Sequence, residues 1–217
     1  MPYAEGRVVH DADSHVVETP DWLVPYADPD LRGQLAPLFV AAVKPGEETF
    51  IDQLRRRHAD PEERPQAEAE IMLRKNWSAL GSFIKDDRPR ALDLLGFRSQ
   101  LVFNTFLNDY LCATEHRADP TLAYGVARAH NRAMLDFCSV DRRLLPTGYV
   151  PLADFERARV IAAEAIAAGM KALLVPSACP AGHSPSHTGL FPVWAQAEEA
   201  GLPILFHVGG GGRLIDP

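Results

Sequence analysis

From about residue 98 onward, short apolar runs alternate with longer amphipathic stretches, and this alternation confines the chain to a small set of folds. Ser99–Phe103, Leu144–Val150, Lys171–Val175 and Leu202–Val208 are short and apolar enough to be buried strands. Between the first two, Asp119-Pro120 has the form of an N-cap followed by proline in the first helical turn. Leu122, Val126, Ala129, Ala133 and Phe137 then recur at helical spacing. A second helix starts at Asp154, carries Phe155, Ala158, Ile161, Ala162 and Ala165, and stops at Gly169; a third runs from about Phe191 to Ala200 and stops at Gly201. Each glycine falls between a helix end and a strand start, where a left-handed cap belongs. The strands near Lys171 and Leu202 begin one strand–helix unit apart. Such alternation builds a parallel sheet covered by helices, so the expected class is α/β.

The first strand, Arg7–Asp13, stands apart from this array. Between it and a helix at Pro89–Leu95 lies a long stretch rich in Pro, Arg, Asp and Glu, with Trp22, Phe39, Phe50 and Trp77 as scattered anchors. Residues 19–88 are expected to form an inserted cap segment of a single domain, lying over the carboxyl face of the sheet. A partly disordered surface excursion is the alternative, and it suits residues 57–70 better.

Bulk properties exclude several functions. The chain has 217 residues, 47% of them hydrophobic, which is enough for a real core. A net charge of −7 without a strongly basic segment argues against nucleic-acid backbone binding, which needs a concentrated positive field. No apolar run approaches the roughly 20 residues of a membrane span, and no secretory signal is visible at the N-terminus. Cys112, Cys138 and Cys179 are few, odd in number and far apart, which suggests reduced thiols in a cytoplasmic protein.

Two strand ends carry side chains that bind metals. Near the start stands Val8-Val9-His10-Asp11-Ala12-Asp13-Ser14-His15, and near the finish Ile204-Leu205-Phe206-His207-Val208 followed by four glycines. Side chains alternate along a strand, so Asp13 and His15 face the same way. If both strands belong to one parallel sheet, Asp13, His15 and His207 converge at its carboxyl edge, where ligands bind in α/β folds. Two imidazoles and a carboxylate suit zinc or another divalent first-row metal. Taken singly, Asp-x-His is equally a capping or turn element, and His207 equally a hydrogen-bonded core group.

Weaker candidates surround these. His183 and His187 lie on the loop after the Lys171–Val175 strand and either touch substrate or sit in a solvated loop. Glu18 either binds substrate, braces His15 as an outer acceptor, or is a helix-start carboxylate. Gly209 and Gly210 open a loop that lets a ligand approach the backbone; a phosphate cradle is disfavoured, since no Lys-Ser/Thr follows. His58, His116 and His130 have the look of surface or helix positions.

The stretch His10–Glu18 resembles the opening of the amidohydrolase-related family of metal-dependent TIM barrels. Asn131-Arg132 with Phe137–Pro151 is similar to that family's segment ending in "VPL", Gly169–Pro176 to its fourth strand, and Phe191–His207 to its fourth helix and metal-bearing fifth strand. The likeness covers most of the chain outside residues 20–85. It implies a metal held by Asp13, His15 and His207, with zinc the first choice and manganese the alternative. At the first position His or Glu is usual, and Asp an accepted variant. The resemblance also implies a metal-dependent hydrolase acting on a small, carboxylate-bearing molecule through a metal-activated water. A non-oxidative decarboxylase on the same scaffold, or a non-catalytic remnant or assembly partner, is the alternative.

The family further uses a histidine after strand six and an aspartate after strand eight, and the latter moves the proton. That general acid/base is expected beyond residue 217. With the insertion set aside, the 217 residues suffice for about five strand–helix units of roughly 30 residues rather than eight. The expected fold is therefore a partial TIM barrel, incomplete at the C-terminus. Its open sheet edges call for a homo-oligomer or a second chain to cover them.

Overall fold

Five parallel strands follow one another in sequence order across a single sheet: β1 (Val9–His15), β2 (Phe97–Phe103), β3 (Leu144–Tyr149), β4 (Ala172–Val175) and β5 (Ile204–Phe206). The computed structural model describes residues 4–36, 38, 47–116 and 121–207. The Asp119-Pro120 helix start, Phe39, and the glycines from Gly209 onward lie outside them. Among the described residues eight α-helices accompany the strands: α1 (Pro29–Arg32), α2 (Glu47–Ala59), α3 (Arg64–Ala69), α4 (Arg88–Leu95), α5 (Leu107–Glu115), α6 (Thr121–Cys138), α7 (Phe155–Ala167) and α8 (Phe191–Glu199). Helices separate every pair of successive strands, as parallel connection demands. The result is a curled half-barrel.

The local signals explain the element ends. Asp154 caps α7 by accepting the backbone N–H of Arg157 at 2.9 Å. Gly169 and Gly201 take φ of +95° and +65° just past α7 and α8, a region closed to most side chains. Gly148 in β3 answers a different need: a Cβ there would lie 2.8 Å from Met170 Cγ. The core lies on both faces of the sheet, under the helices and within the curl. Leu173 and Leu174 are wholly buried, as are Met134, Ile161 and Tyr149. Each aliphatic side chain of this kind contributes roughly 1.5–3 kcal/mol by leaving water.

The insertion is built of two unlike parts. Its first part lies along α6, where Trp22 packs on Phe137 (ring centroids 5.9 Å) and the Tyr26 hydroxyl donates to Asp136 at 2.7 Å. Its last part sits at the carboxyl end of β2, where Trp77 stacks on Phe106 (5.4 Å) and donates to the Glu18 carbonyl at 3.1 Å. Residues 57–70 depart from the disordered excursion that their composition suggests. They close α2 and form α3, because ion pairs such as Arg64–Asp87 (2.8 Å) and Arg90–Glu68 (2.5 Å) tie them to α4 and the turn before it. His58, in α2, is only 2% exposed rather than on the surface. His130, in α6, is fully buried, and its Nδ1 lies 2.9 Å from Asn131 Oδ1.

Candidate metal centre

β1 and β5 are the two edges of the sheet, yet the curl brings their last side chains together. One ligand atom each from Asp13, His15 and His207 lies within 4.8 Å of the others. Asp13 Oδ1 is 3.2 Å from His15 Nε2 and 3.0 Å from His207 Nε2, and the imidazole centroids are 5.0 Å apart. Phe103, at the end of β2, lines the two rings, with centroids 5.8 Å from His15 and 5.0 Å from His207. The sheet therefore sets one carboxylate oxygen and two nitrogens around a common point.

The neighbours of His15 decide which nitrogen is offered. Its Nδ1 lies 2.7 Å from the Asn104 carbonyl oxygen, which can only accept, so Nδ1 carries the proton. A neutral His15 then presents a lone pair at Nε2, facing Asp13 Oδ1. Two electron-rich atoms at that distance repel unless a proton or a cation lies between them. The donor set thus fits a divalent metal, and a backbone carbonyl behind the imidazole is the usual orienting partner of a metal-ligating histidine. Burial alone would raise the Asp13 carboxyl, but when the His207 and His15 rings are protonated, their hydrogen bonds and charges hold it below its ordinary value.

Glu18 does not reach this point. Its carboxylate is fully buried and accepts the backbone N–H groups of Thr105 (2.9 Å), Phe106 (3.1 Å) and Leu107 (3.4 Å). It is a helix-start carboxylate, but for α5, far along the chain from its own position. Burial pushes it up to about 7, against those same hydrogen bonds. By pinning the 105–107 turn it steadies Asn104, whose carbonyl orients His15. His183 and His187 lie apart from the trio on the loop after β4. His183 Nε2 is 3.0 Å from the Leu152 carbonyl, His187 Nδ1 accepts the Gly189 N–H at 3.0 Å, and both rings pack on Phe155 at 4.6 and 4.7 Å. Gly209 and Gly210 lie outside the described residues.

A cavity of about 680 Å³ opens beside Asp13 and His15. The late insertion forms one wall with Arg74, Lys75 and Asn76; α4 contributes Ala91 and Leu95. Asn76 takes φ +52°, the one non-glycine with positive φ among the described residues, at the turn that brings this wall in. Sequence reading gave no warning of Asn104 or Phe103 as supports of the site, since one acts through its backbone and the other as a ring in an ordinary strand. Among the described residues no helix is long and apolar enough to cross a membrane.

Comparison with known proteins bears on the family and the fold. A family model described as amidohydrolase matches residues 11–216. The structure is also similar to the crystal structure of an amidohydrolase from Mycobacterium avium subsp. paratuberculosis K-10, at 23% identity and a TM-score of 0.66. That match covers 95% of this chain and 60% of the other, so the present chain spans about 60% of the length of its structural relative. At this identity the likeness concerns the fold. Comparison with curated proteins gives no match. With the family model running from the middle of β1 past His207, the chain belongs to the amidohydrolase family.

Proposed function

We propose that the chain provides the metal-holding side of a hydrolase active site for a small, carboxylate-bearing molecule. The observation that carries this reading is the convergence of Asp13, His15 and His207 at the carboxyl edge of the sheet. Those three residues would hold a divalent ion, zinc before manganese given two imidazoles and one carboxylate. Such an ion supplies Lewis acidity, lowering the pKa of water and polarising a carbonyl.

The residues around it supply binding and orientation. Asn104 fixes the tautomer of His15, and Glu18 fixes the turn that carries Asn104. Arg74, Lys75 and Arg88 place three cations on the cavity wall, and Arg88 is already held by Gln100, Gly81 and Ser14. Arg74 already pairs with Glu70 at 2.7 Å, whereas exposed Lys75 has no ion pair among the described residues and is the better anchor for a substrate carboxylate. Ala91 and Leu95 offer an apolar surface to the substrate body. An anchored carboxylate beside a metal also suits non-oxidative decarboxylation, and the same cations support that second reading. The free cysteines Cys112, Cys138 and Cys179 are in keeping with a reducing, cytoplasmic setting.

Metal content and turnover test the proposal. The purified chain is expected to take up one zinc per molecule, and His15→Ala and His207→Ala to lose it. Amide, ester and carboxylic acid libraries, followed by released acid and by released carbon dioxide, separate hydrolysis from decarboxylation. Failure of the parent chain to retain any divalent ion would defeat the reading.

A further inference from the structure

β1 and β2 do not pair in simple register. Asp11 stands opposite Gln100 and Ser14 opposite Val102, so β1 carries an extra residue between these pairs. This is a β-bulge, and its consequence is a change of face. Gln100 and Val102 point the same way, into the buried layer between sheet and helices, at 3% and 0% exposure. Asp11 and Ser14 share that side as their register partners. Asp13 and His15 face the opposite, concave side, where His207 meets them. Strict alternation would have put Asp11 on the face of Asp13 and His15.

Both ends of the bulge are tied to one buried cation. Arg88, the first residue of α4, donates from Nε to Gln100 Oε1 (3.0 Å), from Nη1 to the Gly81 carbonyl (2.9 Å) and from Nη2 to Ser14 Oγ. Gln100 extends the contact, its Nε2 donating to Asp11 Oδ2 at 3.0 Å. Asp11 Oδ1 in turn accepts the backbone N–H of Asp13 at 3.1 Å. Gly81 is suited to this arrangement: its φ is +73°, and a Cβ would fall 2.8 Å from Arg88 Cα. A buried guanidinium linked to the Asp11 carboxylate through the Gln100 amide is costly to keep. The Arg88 guanidinium also lies over the Phe137 ring, with Cζ 5.8 Å from the centroid, so the same cation serves the packing of α6 and the bulge.

We propose that Arg88 is a positioning residue for the metal centre: through Ser14, Gln100 and Asp11 it fixes the bulge that turns the Asp13 carboxylate towards His15 and His207. The inference rests on the reading of that trio as a metal site. Removing such outer support lowers metal affinity by roughly ten- to a hundredfold.

The test is zinc affinity by chelator competition on the full chain, with a melting curve of each metal-free protein. Arg88→Met and Gln100→Leu are expected to weaken zinc binding at least tenfold. Arg88→Lys, a single point donor, should not restore it. Arg90→Met, on the same helix but paired at the surface with Glu68, should stay within twofold of the parent. Should Arg88→Met fail to fold, Gln100→Leu decides, because there Arg88 keeps Gly81 and Ser14. A folded Gln100→Leu protein with zinc affinity within twofold of the parent would overturn the proposal and leave the metal site standing. A lowered melting temperature with unchanged affinity would overturn it equally, marking the network as structural only. A parent chain that binds no zinc would overturn the metal reading and this inference with it.

Discussion

The centre of the sheet and its two edges are built for different tasks. In β3 and β4, Thr147, Tyr149, Ala172, Leu173 and Leu174 are all fully buried, and the strands pair without irregularity. At the edges, β1 carries a bulge and an Asp13 side chain 72% exposed, and β5 is three residues long with Phe206 59% exposed. The metal candidates sit on the edges alone. Stability is therefore concentrated where there is no ligand chemistry, and ligand chemistry where little stability depends on it. The two edges meet only because the intervening strands hold the curl, so the site depends on the centre and not the reverse.

This asymmetry predicts two opposite mutants. Leu173→Ala, in the middle of the buried region, should cost about 2–5 kcal/mol in chemical denaturation. Zinc affinity of the fraction that stays folded should change little. Conversely, His207→Ala should weaken zinc binding at least a hundredfold, about 2.7 kcal/mol, while the metal-free protein loses only about 1 kcal/mol, from the contacts of this half-buried ring with Asp13 and Phe103. Loss of zinc binding in folded Leu173→Ala would mean that centre and edge are coupled more tightly than the burial pattern implies.

The same division separates what sequence alone could reveal from what it could not. The strands after β1 announce themselves as apolar runs, two of them preceded by the helix-ending Gly169 and Gly201, and their bounds agree with the structure to within one or two residues. Asp13, His15 and His207 are legible as candidates because they stand at or near the ends of strands at the same edge. Period-two alternation relates Asp13 to His15 correctly but misplaces Asp11, since a bulge leaves no trace in a hydrophobic pattern. The helices of the insertion escaped for another reason. α3 is held by ion pairs to α4 and the preceding turn, and such pairs depend on tertiary placement that composition does not encode. For Glu18 the helix-start reading holds, but the helix it serves begins far away in the chain, which no local pattern could name.

Carboxylates at the two regions should titrate in opposite senses. Asp13 at the edge is held low by its histidines, whereas Glu115, at the end of α5 beneath β3, is pushed up to about 7 by burial. Glu115 Oε1 accepts the Leu152 N–H at 2.6 Å, but Oε2 has no partner. Its folded value lies above the unfolded one near 4.5, so folding favours the protonated form. The stability it contributes is present below pH 4.5 and is lost as pH rises through 7. Denaturation at pH 4.5 and pH 8 should show a fall, of which Glu115→Gln removes about 2 kcal/mol. Glu18, raised for the same reason, accounts for part of the remainder. An unchanged pH dependence in Glu115→Gln would show that solvent reaches this carboxylate after all.

The smallest effect concerns the open edges themselves. Nothing among the described residues pairs with the outer side of β1 or β5, and an uncovered parallel edge invites association. A single exposed aromatic is ordinary on a protein surface, but Phe206 lies on such an edge, directly beside the metal-ligand position. A second copy of the chain is the expected cover. Phe206→Ser should then weaken self-association by roughly tenfold, about 1.4 kcal/mol, as read by sedimentation across a concentration series. The folding stability of the dissociated chain should move by less than about 1 kcal/mol, since the side chain is more than half exposed. A parent chain that sediments as a monomer at every concentration would show that the edges need no partner. The contrast between a stabilising centre and a ligand-bearing rim would then hold within one molecule.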